Sequence, residues 1–194
     1  LGQFLSLEDF EAAARRYLPR PVFAYVSGGV ERNTSLHANR AAFADYSFVP
    51  RVMVDITKRT TAVTLLGTQY AAPFGIAPMG LCSLSGYNGD VALARSAAAA
   101  NIPMVMSGAS LMRMEEVAGA NPDAWFQAYL PADEAGIVAL VERVKQAGFR
   151  RLVITADTPV SGNRENMVRA GFSTPSLPLS AIARNGASQP SSAT

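Results

Sequence analysis

Four short apolar runs, each followed by a loop, constrain the fold of this chain more than any other feature. The predicted strands end at Ala77, Ser107, Tyr129 and Thr155, at intervals of about 30, 22 and 26 residues, and helical patterns follow the first three, which is the spacing of βα units in a parallel sheet. Residues 103–106 and 152–154 are apolar without alternation, as strands buried on both faces require. The sequence therefore predicts a parallel α/β fold.

Two parallel architectures fit this alternation of strands and helices, a doubly wound open sheet and a (β/α)8 TIM barrel. A dinucleotide-binding open sheet carries a glycine fingerprint after its first strand, and residues 78–82 do not supply one. The barrel fits better, although eight βα units take about 250 residues. This 194-residue chain completes its fourth strand near residue 157, so we expect it to supply the first four units of a barrel.

The chain is expected to divide into three parts. Residues 1–60 form a helical segment at the active-site mouth, since a capping-box pattern starts at Ser6 and Pro19 stops the first helical repeat. Residues 61–172 form the first half of the barrel, opened by a strand pair at 62–66 and 70–76 and closed by an irregular tail after the fourth strand. Residues 173–194, rich in Ser, Pro and Ala, form a mobile loop or break point.

Composition excludes several classes of protein. Seventeen Lys and Arg against 15 Asp and Glu leave a net charge of +2, so no charge excess points to nucleic acid. One cysteine, Cys82, cannot form an internal disulfide, and no metal-ligand spacing or long apolar run is present. We expect a cytoplasmic protein, with peripheral attachment to a membrane as the open alternative. The one histidine, His37, is far in sequence from every strand end and is expected to be solvated or structural.

Polar residues occur where the predicted strands end, which is where barrel enzymes carry their active sites. Residues two apart on a strand share a face, so Gln127 pairs with Tyr129 and Thr155 with Asp157. Arg164 follows the fourth strand, where a guanidinium could bind a carboxylate through paired hydrogen bonds. Singly, each of these residues could be a satisfied polar group or a surface arginine, but together they favour a site.

Four motifs occur in order along the chain: residues 18–25 (LPRPVFAY), 76–80 (IAPMG), 125–129 (WFQAY) and 155–159 (TADTP), the last leading to Gly162-Asn163-Arg164-Glu165. Together they resemble the FMN-dependent 2-hydroxy acid oxidoreductases, which include glycolate oxidase, L-lactate dehydrogenase and mandelate dehydrogenase. The resemblance runs from about residue 7 to residue 172. It implies an FMN cofactor and oxidation of an L-2-hydroxy acid to a 2-oxo acid, with electrons passing to the flavin and then to oxygen or another acceptor.

The resemblance also implies a role for each candidate residue. The isoalloxazine ring would be contacted by the backbone of Ala77, Pro78, Met79 and Gly80 and by Ser107, Gln127 and Thr155. Tyr25 and Arg164 would bind the substrate carboxylate, and Tyr129 would hydrogen-bond the substrate hydroxyl. Asp157 would orient a catalytic imidazole and stabilise its protonated form.

Other parts that the resemblance implies do not occur in this sequence. A catalytic histidine, a lysine near the flavin and a glycine-rich phosphate site belong to later strands in the family. We therefore expect the C-terminal half of the same barrel as a partner, a homo-oligomer such as a tetramer, and no activity from residues 1–194 alone. Two alternatives stay open at this point: another flavin- or phosphate-binding barrel enzyme, and a non-catalytic half-barrel.

Overall fold

A computed structural model describes residues 2, 4–156 and 162–173 of the chain. The chain divides into two compact units, Leu1–Lys58 with Val160–Pro175 and Arg59–Pro159 with Ser176–Thr194. Within the described ranges, the strands all belong to the second unit. The loop predicted at 173–194 lies outside the described residues beyond Ser173.

The first unit is helical. Numbered in chain order, its helices are α1 (Glu8–Tyr17), α2 (Arg20–Ser27), α3 (Thr34–Ala41) with a 3₁₀ turn at Ala42–Asp45, and α7 (Glu165–Arg169). The carboxylate of Asp9 accepts hydrogen bonds from the backbone N–H groups of Leu5 and Ser6, at 2.7 and 3.0 Å. These bonds form the acidic half of the predicted capping box and lower the pKa of Asp9.

Helix α7 replaces the irregular tail that the sequence predicts after the fourth strand. It has five residues, too few for an apolar period to be recognised, and it packs against α2. An ion pair between Glu165 and Arg169, four positions apart, joins its two ends. The prediction was wrong here because tertiary contact, and not a local pattern, specifies so short a helix.

The second unit opens with a β-hairpin of β1 (Val63–Leu65) and β2 (Thr68–Tyr70). Leu66 and Gly67 form the two-residue turn with φ angles of 47° and 80°, the left-handed pair that a tight hairpin turn requires. A strand pair is present, but the bounds predicted for its second strand were wrong: β2 occupies Thr68–Tyr70 and not residues 70–76. Ile76 pairs elsewhere, through a parallel bridge to Met104.

Parallel pairing then joins three strands into one sheet, and an isolated bridge adds a fourth segment beside them. Strands β3 (Val105–Ser107), β4 (Trp125–Ala128) and β5 (Leu152–Ile154) lie in the order β3-β4-β5, and Ile76 bridges to the residue before β3. The connections run through α4 (Gly89–Ala100), α5 (Met114–Ala120) and α6 (Glu134–Gln146). A doubly wound sheet reverses its strand order at a switch point; this sheet adds each strand beside the last, which is the order of a barrel.

The apolar core lies between this sheet and its helices. Met106 and Phe126 are fully buried within it, and the rings of Phe126 and Phe149 are 5.5 Å apart. Because side chains alternate along a strand, Ser107 and Gln127 point to the opposite face of the sheet. Strand alternation therefore separates the residues that stabilise the unit from those predicted to form a site.

At the other end of the strands, two contacts attach the hairpin to the sheet. The indole N–H of Trp125 donates to the hydroxyl of Tyr70 at 3.1 Å. The guanidinium of Arg151 donates to the carbonyl of Leu66 at 3.2 Å and to the hydroxyl of Thr68. The hairpin thus lies at the N-terminal ends of β4 and β5, away from the strand ends that carry the predicted site.

Replacing Phe126 tests the position of this core. Phe126→Ala should lower the free energy of unfolding of the full-length protein by about 3–5 kcal/mol, measured by urea denaturation, because a fully buried ring leaves a cavity. Phe74→Ala is the matched control, since Phe74 is 67% exposed, and it should cost less than about 1 kcal/mol. Equal losses for the two variants would contradict the described packing.

Candidate active site

Three of the predicted site residues form one hydrogen-bonded layer across neighbouring strands. The hydroxyl of Ser107 donates to Oε1 of Gln127 at 3.1 Å, and Nε2 of Gln127 donates to the hydroxyl oxygen of Thr155 at 2.8 Å. Ser107 and Gln127 are register neighbours in β3 and β4, and both are buried. The structure therefore brings together three of the side chains predicted at the strand ends.

A backbone contact fixes the orientation of the Gln127 amide. The N–H of Gly108 donates to Oε1 at 3.2 Å, and a backbone N–H can only donate, so the oxygen must face it. A Cβ at position 108 would lie 2.8 Å from the carbonyl oxygen of Gln127. Glycine at 108 therefore allows the turn after β3 to approach β4 this closely.

This layer leaves two donors without acceptors among the described residues. Oε1 of Gln127 already accepts two hydrogen bonds, and the Ser107 hydroxyl donates one and accepts one from the N–H of Ala109. The second N–H of the Gln127 amide and the O–H of Thr155 remain. These two donors, at the strand ends, are available to a ligand with acceptor atoms.

The predicted backbone contact segment, Ala77 to Gly80, lies at the same end of the sheet. It follows Ile76, and the N–H of Leu81 just after it donates to the carbonyl of Ala109 at 3.1 Å. The first three of its residues are exposed and Gly80 is half-buried. The segment is thus tied to the turn after β3 while its backbone stays accessible.

Tyr129 differs from Gln127 in its surroundings. Strand β4 ends at Ala128, whose carbonyl accepts the N–H of Thr155 at 3.1 Å. Tyr129 lies beyond the strand, so the prediction that it shares a strand face with Gln127 does not hold. Tyr129 is 55% exposed, and its hydroxyl has no hydrogen bond to the described residues. Asp157, the other residue predicted beside this layer, lies outside the described residues.

In the first unit, Tyr25 and Arg164, the two residues expected to bind the substrate carboxylate, are in contact. Nη2 of Arg164 donates to the carbonyls of Tyr25 and Gly28 at 2.6 and 2.9 Å. These carbonyls lie at the C-terminal end of α2, where backbone acceptors lack helical partners and the helix dipole attracts a cation. The guanidinium also lies 5.0 Å from the centre of the Tyr25 ring. Arg164 therefore caps the C-terminal end of helix α2.

Part of the guanidinium stays open to a ligand. Toward the described residues, Arg164 uses Nη2 alone, so Nε and Nη1 keep their N–H groups. Phe172, which the sequence analysis did not single out, stacks on the ring of Tyr25 with centroids 4.8 Å apart. In the sequence, the only sign of this role was that Phe172 is an aromatic residue at the end of the region of resemblance. A cation held beside an anchored phenol is suited to binding a carboxylate.

The surroundings of the histidine and of the cysteine bear on whether either could take part in chemistry. His37 is exposed on α3, as a solvated histidine should be. Burial and the nearby Asp90 raise the pKa of the Cys82 thiol to about 11. The thiol therefore stays protonated near neutral pH, where a nucleophilic cysteine needs a thiolate.

Within the described part of the chain, no helix has the length and apolar character to cross a membrane.

Comparison with known proteins places these features in a family. The FMN-dependent dehydrogenase family matches residues 14–194. A putative L-lactate dehydrogenase of Mycobacterium tuberculosis is 39% identical over 177 residues, which are 90% of this chain and 43% of that protein. The 4-hydroxymandelate oxidase of Amycolatopsis orientalis is 36% identical over 172 residues, 89% of this chain and 48% of its own length.

Solved structures agree on the fold. A crystal structure of mandelate oxidase with 3,3-difluoro-2-hydroxy-3-phenylpropionic acid superposes with a TM-score of 0.84 at 36% identity, covering 89% of this chain and 52% of that one. The chain thus spans about half the length of the relatives it matches, and the predicted fold class, the first half of a TIM barrel, is confirmed. The predicted cofactor agrees as well, since the family uses FMN. The chain belongs to the FMN-dependent dehydrogenase family, with its 2-hydroxy acid oxidases and dehydrogenases.

Proposed function

We propose that this chain is part of an enzyme that oxidises a small L-2-hydroxy acid to a 2-oxo acid with FMN, the electrons then passing to oxygen or another acceptor. Membership of the family supports the reaction class. The observation that carries the proposal is the pair of unused donors, the Gln127 amide N–H and the Thr155 hydroxyl, at the strand ends where barrel enzymes bind their ligands.

The residues present fit an isoalloxazine ring. Its polar edge carries carbonyl oxygens and ring nitrogens, which need donors held in fixed positions. Gln127 and Thr155 would supply these donors, while Ser107 holds the amide in place and the open backbone of residues 77–80 would lie against the ring. When bound, FMN supplies the acceptor for the two electrons, and the protein supplies orientation and charge.

Tyr25, Tyr129 and Arg164 are proposed to bind the substrate. The guanidinium of Arg164 and the phenol of Tyr25 would take the carboxylate, an assignment supported by their contact in the first unit and by the free Nε and Nη1 groups. Tyr129, which is more than half exposed, would donate to the oxygen that becomes the oxo group. Asp157 would orient an imidazole that removes the substrate proton.

The imidazole and the phosphate anchor are proposed to come from barrel segments that this sequence does not contain. Its one histidine is exposed on α3, and barrel phosphate sites form after strands seven and eight. The relatives, about twice as long as the matched region, support a C-terminal half-barrel as the partner of this chain. Assembly into a homo-oligomer completes the proposal.

Anaerobic reduction tests the proposed reaction. Purified full-length protein should show the absorption bands of oxidised flavin, and these should bleach when glycolate, L-lactate or (S)-mandelate is added without oxygen. The matching 2-oxo acid should form in an amount equal to the flavin reduced. A 3-hydroxy acid of equal length is the control and should leave the bands unchanged. A colourless protein, or flavin that no 2-hydroxy acid reduces, would refute the proposal.

Replacing Arg164 tests the carboxylate contact. Arg164→Met should lower kcat/KM for the 2-hydroxy acid by about a hundredfold or more, because the substrate carboxylate loses its charged partner. Arg164→Lys should recover only part of this loss, since an ammonium cannot both close α2 and present a second pair of N–H groups.

Arg169→Met is the matched control for this series. Arg169 also lies on α7, 68% of its side chain is exposed, and its described partner is Glu165. Its loss should change kcat/KM by less than about twofold. Equal effects of Arg164→Met and Arg169→Met would show that Arg164 does not bind the substrate.

A further inference from the structure

A buried acid near the candidate site has no part in the proposed reaction. Asp90 lies in the first turn of α4 and is 2% exposed. The hydroxyl of Ser110 hydrogen-bonds to its carboxyl group, while Oδ2 has no partner among the described residues, and no described lysine or arginine pairs with it. Burial raises the pKa of this carboxyl.

Such a group is costly where only packing is required. A buried carboxyl without a cation loses its hydration, and an oxygen left without a donor adds to the loss. An N-terminal acid also stabilises its own helix, so the question is whether Asp90 serves α4 alone or the turn that contains Ser110.

The contacts of Ser110 lead directly to the hydrogen-bonded layer. Its N–H donates to the carbonyl of Ser107 at 3.0 Å, and its hydroxyl oxygen accepts the N–H of Met112 at 3.1 Å. Between them, the N–H of Ala109 donates to the hydroxyl of Ser107, whose proton goes to Gln127. Residues 107–110 therefore form a closed turn, and Asp90 holds its last residue.

The same turn positions the second candidate flavin contact. The carbonyl of Ala109 accepts the N–H of Leu81, directly after the 77–80 segment. Leu81 is buried in a left-handed conformation, with φ of 60°, which this hydrogen bond helps to hold. A shift of the turn would therefore displace both the Ser107 hydroxyl and the backbone of residues 77–80.

We propose that Asp90 is a positioning residue for the flavin edge: by accepting the Ser110 hydroxyl it fixes the turn at 107–110, and with it the Gln127 amide and the 77–80 backbone. The inference rests on the proposed function, since that function places a flavin beside the turn. Asp90 itself touches neither the ring nor the substrate in this proposal.

Two single variants and their combination test the link in full-length protein. Asp90→Leu removes the acceptor and Ser110→Ala removes the donor, and each should weaken FMN binding about five- to tenfold in a fluorescence titration, the value of one hydrogen bond. The double variant should bind FMN no more weakly than either single variant, because both break the same contact. Asp90→Asn keeps an acceptor oxygen and should stay within about twofold of wild type.

A second readout needs no flavin. In apoprotein, hydrogen exchange at the N–H groups of Gly108 and Ala109 should accelerate about five- to tenfold in Asp90→Leu and Ser110→Ala. Val144→Ala, a buried truncation on α6, is the control: it should lower Tm without changing FMN affinity or these two exchange rates. Ser110→Ala removes a single oxygen atom. If Asp90→Leu fails to fold, FMN affinity and hydrogen exchange can still be measured on Ser110→Ala.

The outcomes separate this inference from the proposed function. If Asp90→Leu and Ser110→Ala lower Tm but leave FMN affinity and both exchange rates unchanged, Asp90 serves only α4 and the inference is overturned. If wild-type protein binds no FMN, the proposed function is refuted, and the exchange rates alone decide whether Asp90 fixes the turn.

Discussion

The amide of Gln127 joins three neighbouring strands, and the candidate site depends on it. Its oxygen accepts from the Ser107 hydroxyl and the Gly108 N–H on one side, and its nitrogen donates to Thr155 on the other. Buried polar groups of this kind are stable only when their bonds are made. The layer meets that condition for its acceptors and leaves two donors over. One set of contacts therefore holds β3, β4 and β5 in register at their ends and leaves an N–H and an O–H group for the proposed ligand.

The rest of the second unit supports that layer from both sides. Met106 and Phe126 take the alternate strand positions and fill the space against the helices, which leaves the opposite face to polar residues. The hairpin is attached at the other end of the strands through Tyr70, Trp125 and Arg151. In the first unit a single arginine has two tasks, because Arg164 closes α2 and still presents N–H groups beside Tyr25. Stability and the proposed ligand binding thus share residues in one unit and separate by strand face in the other.

Much of the fold and part of the candidate site could be predicted from the sequence, because buried parallel strands appear as short, continuous apolar runs. A helix was predicted after the third strand and is present as α6, and Ser107, Gln127 and Thr155 were identified because the ends of parallel strands meet at one edge. The face of Tyr129 could not be derived, since where β4 stops depends on its partner strand. Helix α7 and the stacking of Phe172 on Tyr25 arise from tertiary contacts with no local pattern. Asp90 carried a signal that was not used, an acid at the start of an apolar, alanine-rich helix.

The most direct test of the account is to observe the Gln127 side-chain amide by NMR while FMN is added to ¹⁵N-labelled full-length apoprotein, with Gln127→Leu used to assign the resonance. One Nε2 proton should hold its shift, since it is already bonded to Thr155. The other should move downfield and exchange more slowly with water as FMN binds, with Gln69, an exposed residue of β2, as the unaffected reference. FMN binding that leaves both Gln127 protons unchanged would contradict the claim that this layer holds the flavin edge.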